Sequence, residues 1–174
     1  MPKSTQRLFL AFPADQLRRP LLKLQDRLAL PGRRIPPEQF HLTLRFLGEL
    51  GAAQQAQVEQ MVDRLPLVAF SLELDKLGCF GRAKVLWLGP TQIPEPLITL
   101  AGQAELGIQE LGLDASRTGF HPHISLFRHT SSASRLPALP PIHYQPDRLV
   151  LYASQTTREG PSYESVHSWK LATR

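Results

Sequence analysis

His41-Leu42-Thr43-Leu44 recurs, nearly half a chain later, as His123-Ile124-Ser125-Leu126. Each copy alternates polar and apolar side chains, the period of a strand with one buried face. Residues i and i+2 of a strand share a face, so His41 and Thr43 project together while Leu42, Leu44 and Phe46 turn to the core. In the second copy His123 and Ser125 project together, with Ile124 and Leu126 inward. A helical pattern precedes each copy. The repeat implies a duplicated unit, one imidazole and one hydroxyl per half, both pairs facing a shared cleft.

Working outward, Leu8 to Phe12 reads as a short buried strand closed by Pro13. Asp15 to Leu30 carries Leu17, Leu21, Leu24 and Leu28 at helical spacing. Pro31-Gly32 stops that helix, and Arg33-Arg34-Ile35-Pro36-Pro37 is a basic loop. Phe40 to Leu47 is the first motif strand, and Ala52 to Leu65 a helix with Val58, Met61, Val62 and Leu65 on one side. Phe70 to Leu77 and Lys84 to Leu88 form an antiparallel hairpin across Gly78 to Ala83. Pro96 to Leu111 is a helix, His123 to Arg128 the second motif strand, and Leu149 to Ser154 and Val166 to Leu171 two more strands. A Ser- and Pro-rich loop, Ser131 to Pro141, is the stretch read as mobile. No linker divides the chain. The expected class is α+β: one domain over 1–174 with two pseudo-symmetric lobes, each a mainly antiparallel sheet with helices outside, and the cleft between them.

Of the 174 residues, 42% are apolar, enough to build a core. A net charge of +5, from 20 Lys and Arg against 15 Asp and Glu, suits an anionic partner such as RNA. Cys79, the single cysteine, permits no intrachain disulfide and reads as a small apolar filler beside Phe80. The segment Met1-Pro2-Lys3-Ser4-Thr5-Gln6-Arg7 has no signal-peptide character and leads into no apolar span of about 20 residues. A cytoplasmic protein is expected.

Two imidazoles, each paired with a hydroxyl, suit hydrolysis of a cyclic phosphodiester. In-line displacement at phosphorus needs a base on one side of the phosphate and an acid on the other. Histidines of ordinary pKa near 6.5 supply both at neutral pH. Thr43 and Ser125 are placed to hydrogen-bond the non-bridging oxygens, where charge builds up. No metal or other cofactor is called for. A zinc reading of His121, His123 and His129 competes, H-x-H being a known ligand spacing, but it leaves His41 without a role. His143 and His167 read as surface residues, Arg45 as a rim charge, and Trp87 as core. Phe80, in the hairpin loop beside Arg82, is a candidate to stack on a nucleobase, with local packing as the alternative.

These motifs resemble those of the 2H phosphoesterases, and among them the bacterial and archaeal RNA 2',3'-cyclic phosphodiesterases, the LigT-like or 2'-5' RNA ligase-like proteins. The likeness takes in Arg7 to Phe12, Phe40 to Gly48, Val85 to Gly89, His121 to Leu126, Leu151 to Ser154 and Gly160 to Tyr163, with Ser125 where Thr is commoner. It implies an RNA substrate ending in a 2',3'-cyclic phosphate and a 2'-phosphomonoester product. It also implies His41 as proton donor to the 3'-oxygen and His123 as the base that activates water, roles that the near-identical motifs do not themselves distinguish. A 2'-5' joining side activity belongs to the same resemblance. So does Arg128 as a phosphate-contacting residue, although strict alternation puts it on the face opposite His123 unless the strand ends or bulges there. Alternatives are another cyclic or 2'-5' nucleotide as substrate, or an RNA-end binder without turnover.

Overall fold

Leu8, Leu10 and Phe12 alternate with Phe9 and Ala11 along a strand whose two faces meet different layers of the protein. The computed structural model describes residues 4–130 and 136–173; residues 131–135, in the loop read as mobile, lie outside the described residues. In chain order the elements are β1 (Gln6–Pro13), a 3-10 turn (Asp15–Leu17), α1 (Arg18–Leu28), β2 (Arg33–Arg34), a second 3-10 turn (Pro37–Gln39), β3 (His41–Leu50) and α2 (Ala52–Asp63). They continue with β4 (Leu72–Phe80), β5 (Val85–Pro90), α3 (Glu95–Glu110), β6 (Ile124–Arg128), β7 (Ile142–Tyr144), β8 (Arg148–Thr157) and β9 (Gly160–Lys170). The expected α+β class is observed. Phe80 ends β4 rather than sitting in the loop, and β9 begins earlier than its apolar pattern suggests because its first half faces solvent.

The strands form one sheet in the order β7-β4-β5-β6-β3-β1-β8-β9, with β2 added beside β6. Two half-sheets are visible within it, and both motif strands lie at the seam. Each is reached the same way: β1-α1-β3 on one side and β5-α3-β6 on the other, with each motif strand antiparallel to the strand before its helix. At the seam β3 and β6 are antiparallel and pair at a single position, Leu42 with Ile124. The halves of the chain do not map one to one onto the half-sheets. The C-terminal β8-β9 hairpin returns to pair with β1, while β4 and β5 belong with β6 and β7.

One face of the sheet carries Leu8, Leu10, Phe12, Leu42, Leu44, Leu86, Leu88, Ile124 and Leu126 into a common core. Leu21 and Leu24 of α1, Val58, Met61 and Val62 of α2, and Leu97, Leu100, Ala104 and Ile108 of α3 cover it. The helices α2 and α3 meet where Gly107 lies against Met61. The opposite face is left for the motif side chains.

Candidate active site

His41 opens β3 and His123 immediately precedes β6, each one residue before the Leu42–Ile124 pair. Both imidazoles are tethered alike. The Nδ1–H of His41 donates to the Gln39 carbonyl at 2.7 Å, and that of His123 donates to the His121 carbonyl at 2.7 Å. A carbonyl only accepts, so each neutral ring carries its proton on Nδ1 and its lone pair on Nε2. The Thr43 hydroxyl lies 3.1 Å from His41 Nε2 and donates to it in that tautomer. Aromatic rings brace both histidines: Phe9 at 5.3 Å and Tyr163 at 5.4 Å from His41, Phe80 at 5.0 Å from His123.

The residues beyond each hydroxyl are aimed by a β-bulge, and the bulge falls at the fourth residue of both motifs. On β3, Leu10 pairs with Arg45 and Ala11 with Thr43, leaving Leu44 extra. On β6, Leu86 pairs with Phe127 and Trp87 with Ser125, leaving Leu126 extra. An extra residue shifts the alternation by one. The shift corrects two sequence expectations and decides the side on which Arg128 lies. Phe46 is not core but 61% exposed, against Phe9 on the histidine face. Arg45 is not a rim charge but a half-buried one, paired with Glu105 of α3 at 2.6 Å and holding that carboxyl down at about 2. Phe127 is fully buried, and Arg128 comes onto the His123 side, close enough for its charge to act on His41. The bulge alternative left open by the sequence is the one observed.

Gln25, a polar residue within the apolar stripe of α1, supports the second bulge. Its side chain is buried, and its Nε2 donates to the Leu126 carbonyl at 2.9 Å and to the Ile35 carbonyl at 3.0 Å. The Leu126 carbonyl also accepts from the Ile35 N–H at 2.9 Å. The carbonyl displaced by the bulge is thereby satisfied.

Thr43, Phe46, Phe80, His121 and His123 line one groove, whose far wall is α3 and the segment Ser116 to Phe120. Trp87 is buried as expected, with its indole laid over Gly78; a Cβ at Gly78 would come within 2.2 Å of the ring. Phe80 stacks obliquely on Trp87 and edge-on to His121 and His123, while keeping a place on the groove wall. His143 is exposed and donates to Glu73, and His167 is exposed beside Trp169. His129 sits past the end of β6 in a left-handed conformation, φ 55°. Among the described residues no group of three or more His, Cys, Asp or Glu side chains is gathered to hold a metal ion. No helix among them is long and apolar enough to cross a membrane.

Burial pulls the His41 imidazole from 6.5 down to about 4, opposed by the Gln39 carbonyl and reinforced by the charges of His123 and Arg128. Burial also lowers His123, opposed by the His121 carbonyl and reinforced by the charge of His121. Both are therefore neutral in the empty site at neutral pH. The Arg128 Nε is buried and has no protein acceptor among the described residues. An unpaired buried donor of that kind is costly unless a ligand accepts from it. Two neutral imidazoles that present Nε2 as an acceptor, two hydroxyls and a guanidinium whose Nε–H is unpaired are the complement of a small anion that exchanges protons.

Comparison with known proteins gives the same picture. The pattern of the LigT like Phosphoesterase family matches residues 12–87. The RNA 2',3'-cyclic phosphodiesterase of Escherichia coli is 36% identical over 80% of this chain and 80% of its own length. That of Aeropyrum pernix is 28% identical over 88% and 96%. Among solved structures, E. coli LigT complexed with 3'-AMP superposes with a TM-score of 0.88 at 33% identity, covering 97% of this chain and 99% of that one. With identity at this level over most of both chains, and the duplicated His-x-Thr/Ser motifs meeting at the seam of the same sheet, the protein belongs to the LigT-like phosphoesterases of the 2H superfamily.

Proposed function

We propose that this protein opens the 2',3'-cyclic phosphodiester at an RNA end to a 2'-phosphomonoester, using His41 as acid and His123 as base. The observation that carries the reading is the pairing of two like-tethered imidazoles with the unsatisfied Arg128 donor beside them. The cyclic phosphate brings a negative charge next to Arg128 and His41. It counteracts the burial and the nearby positive charges that depress His41, so substrate binding favours uptake of a proton at His41 Nε2. Once protonated, Nε2 no longer accepts from Thr43, and that hydroxyl is released to donate to a non-bridging oxygen, as Ser125 does on the other strand. His123 Nε2, still neutral, takes the proton of the attacking water while His41 delivers its own to the 3'-oxygen. Arg128 holds the phosphate as charge accumulates on it.

Phe46 and Phe80 line the groove beside the reacting phosphate and offer rings to the nucleobase. Joining RNA ends through a 2'-5' linkage is the same displacement with a ribose 5'-hydroxyl in place of water and the 3'-oxygen again leaving, and is proposed as a secondary activity. The test is incubation with an oligoribonucleotide ending in a 2',3'-cyclic phosphate, in EDTA, with the product read by phosphorus NMR. A single 2'-phosphate is expected. A 3'-phosphate or a mixture would overturn the assigned roles, and no hydrolysis would overturn the function.

A further inference from the structure

A separate cavity of about 660 Å³ shares His41 with the site but none of Thr43, Phe46, His123, Ser125 or Arg128. It lies between the segment from β2, a strand where the sequence suggested a loop, to the start of β3 and the tip of the β8-β9 hairpin, and Arg33, Arg158, Glu38, Glu159, Tyr152 and Tyr163 line it. Two contacts hold the hairpin tip over that segment. The Gln39 side chain donates to the Pro161 carbonyl at 2.7 Å. The Arg33 guanidinium lies flat against Gly160, where a Cβ would come within 2.3 Å of its nitrogen and where φ is 113°. Gly160 is required there twice over, by backbone conformation and by that approach.

Arg34, Arg45 and Arg148 are committed to carboxylates. Among the described residues Arg33 and Arg158 have no such partner, and neither do Glu38 and Glu159. A cavity offering two guanidiniums, two free carboxylates and two tyrosine rings matches the parts of a ribonucleotide. Guanidiniums grip a phosphodiester, carboxylates accept from a 2'-hydroxyl, and rings stack on a base.

The connectivity of ribose says which nucleotide this is. C3' is bonded to C4', which carries C5' and the upstream phosphate, whereas C2' leads to C1' and the base. With O3' at His41, the RNA chain leaves the site on the His41 side, where this cavity opens, and the terminal base leaves on the other. We propose that the cavity under the β8-β9 hairpin is the subsite for the nucleotide immediately 5' to the cyclic end, gripping its phosphodiester through Arg33 and Arg158. This rests on the proposed function and its polarity, and it makes the enzyme prefer an RNA chain to a cyclic mononucleotide.

The experiment compares kcat/KM for a dinucleotide ending in a 2',3'-cyclic phosphate with that for the matching cyclic mononucleotide, using the unaltered protein, Arg33→Gln and Arg158→Gln. The dinucleotide is expected to be better by at least about tenfold, mainly through KM. Each substitution should remove most of that advantage while leaving the mononucleotide within about twofold. A deoxyribose in the upstream nucleotide should weaken the dinucleotide, through loss of its 2'-hydroxyl. Equal rates for the two substrates would overturn the subsite, as would substitutions that slow both alike. Hydrolysis of neither by the unaltered protein would overturn the proposed function and the subsite with it.

Discussion

Gln25→Met is the substitution that tests whether the bulge on β6 is held from the helix layer. Methionine nearly matches glutamine in length and volume, so the cavity term is small. The change removes two buried donations, at 3.0 Å to Ile35 O and 2.9 Å to Leu126 O. Leu126 O keeps the Ile35 N–H, so its loss is partial; Ile35 O loses its side-chain donor. An orphaned buried carbonyl costs about 1–3 kcal/mol, and with the partial loss the expected destabilisation is about 2–4 kcal/mol. Urea unfolding measures it as a lower midpoint at unchanged slope. Below that midpoint, kcat/KM on a cyclic dinucleotide should fall by roughly tenfold, because the bulge is what brings Arg128 to the phosphate. A loss of stability under about 0.5 kcal/mol would show that these bonds carry little. Lost stability with full activity would show that the bulge is held by something else.

His41→Ala and His123→Ala should each cut turnover by at least about 100-fold, with a double substitution far from additive; a near-normal rate in either single variant would sink the two-histidine mechanism. Because both free histidines are shifted down, His41 to about 4, kcat/KM should peak on the acid side of 6.5 and fall as pH rises, with kcat displaced upward by the bound anion. An alkaline limb of kcat/KM well above about pH 7 would contradict this. The same shift makes His41 destabilising in acid. Between 6.5 and about 4 the unfolded chain binds a proton that the native ring refuses, so stability declines as pH falls through that window. His41→Asn should therefore flatten the acid limb of a stability profile measured by thermal melting. Gly78→Ala, which drives a Cβ into the Trp87 ring, should cost roughly 1–3 kcal/mol in urea unfolding and loosen the wall behind His123.

Much of the site could be read from sequence because it depends on local periodicity. The repeat of His41-Leu42-Thr43-Leu44 at His123 to Leu126, the strands that carry it and the helix before each copy rest on spacing alone. What spacing could not show depends on a partner strand. Alternation carried Phe46 inward and left Arg45 at the rim, because a bulge is a mismatch of register with β1 and is invisible in β3 by itself. Arg128 was left undecided for the same reason. Gln25 did leave a signal, a glutamine where the stripe of Leu17, Leu21, Leu24 and Leu28 calls for an apolar residue, but its acceptors lie on elements far along the chain. The return of β8 and β9 to β1 is likewise a long-range pairing that composition does not encode.

That return sets an order of assembly during synthesis. The half-sheet of β4 to β7 comes from one continuous stretch of chain, so its strands can pair as soon as they are made. The half-sheet bearing His41 waits. β1 leaves the ribosome early with Leu8, Leu10 and Phe12 to bury, yet the edge it offers to β8 stays open until almost the whole chain is out. Closing so long a loop is slow, and an apolar strand with a free edge is a template for pairing between chains. A nascent chain stalled before β8 therefore carries a finished His123 half beside a first strand prone to aggregate.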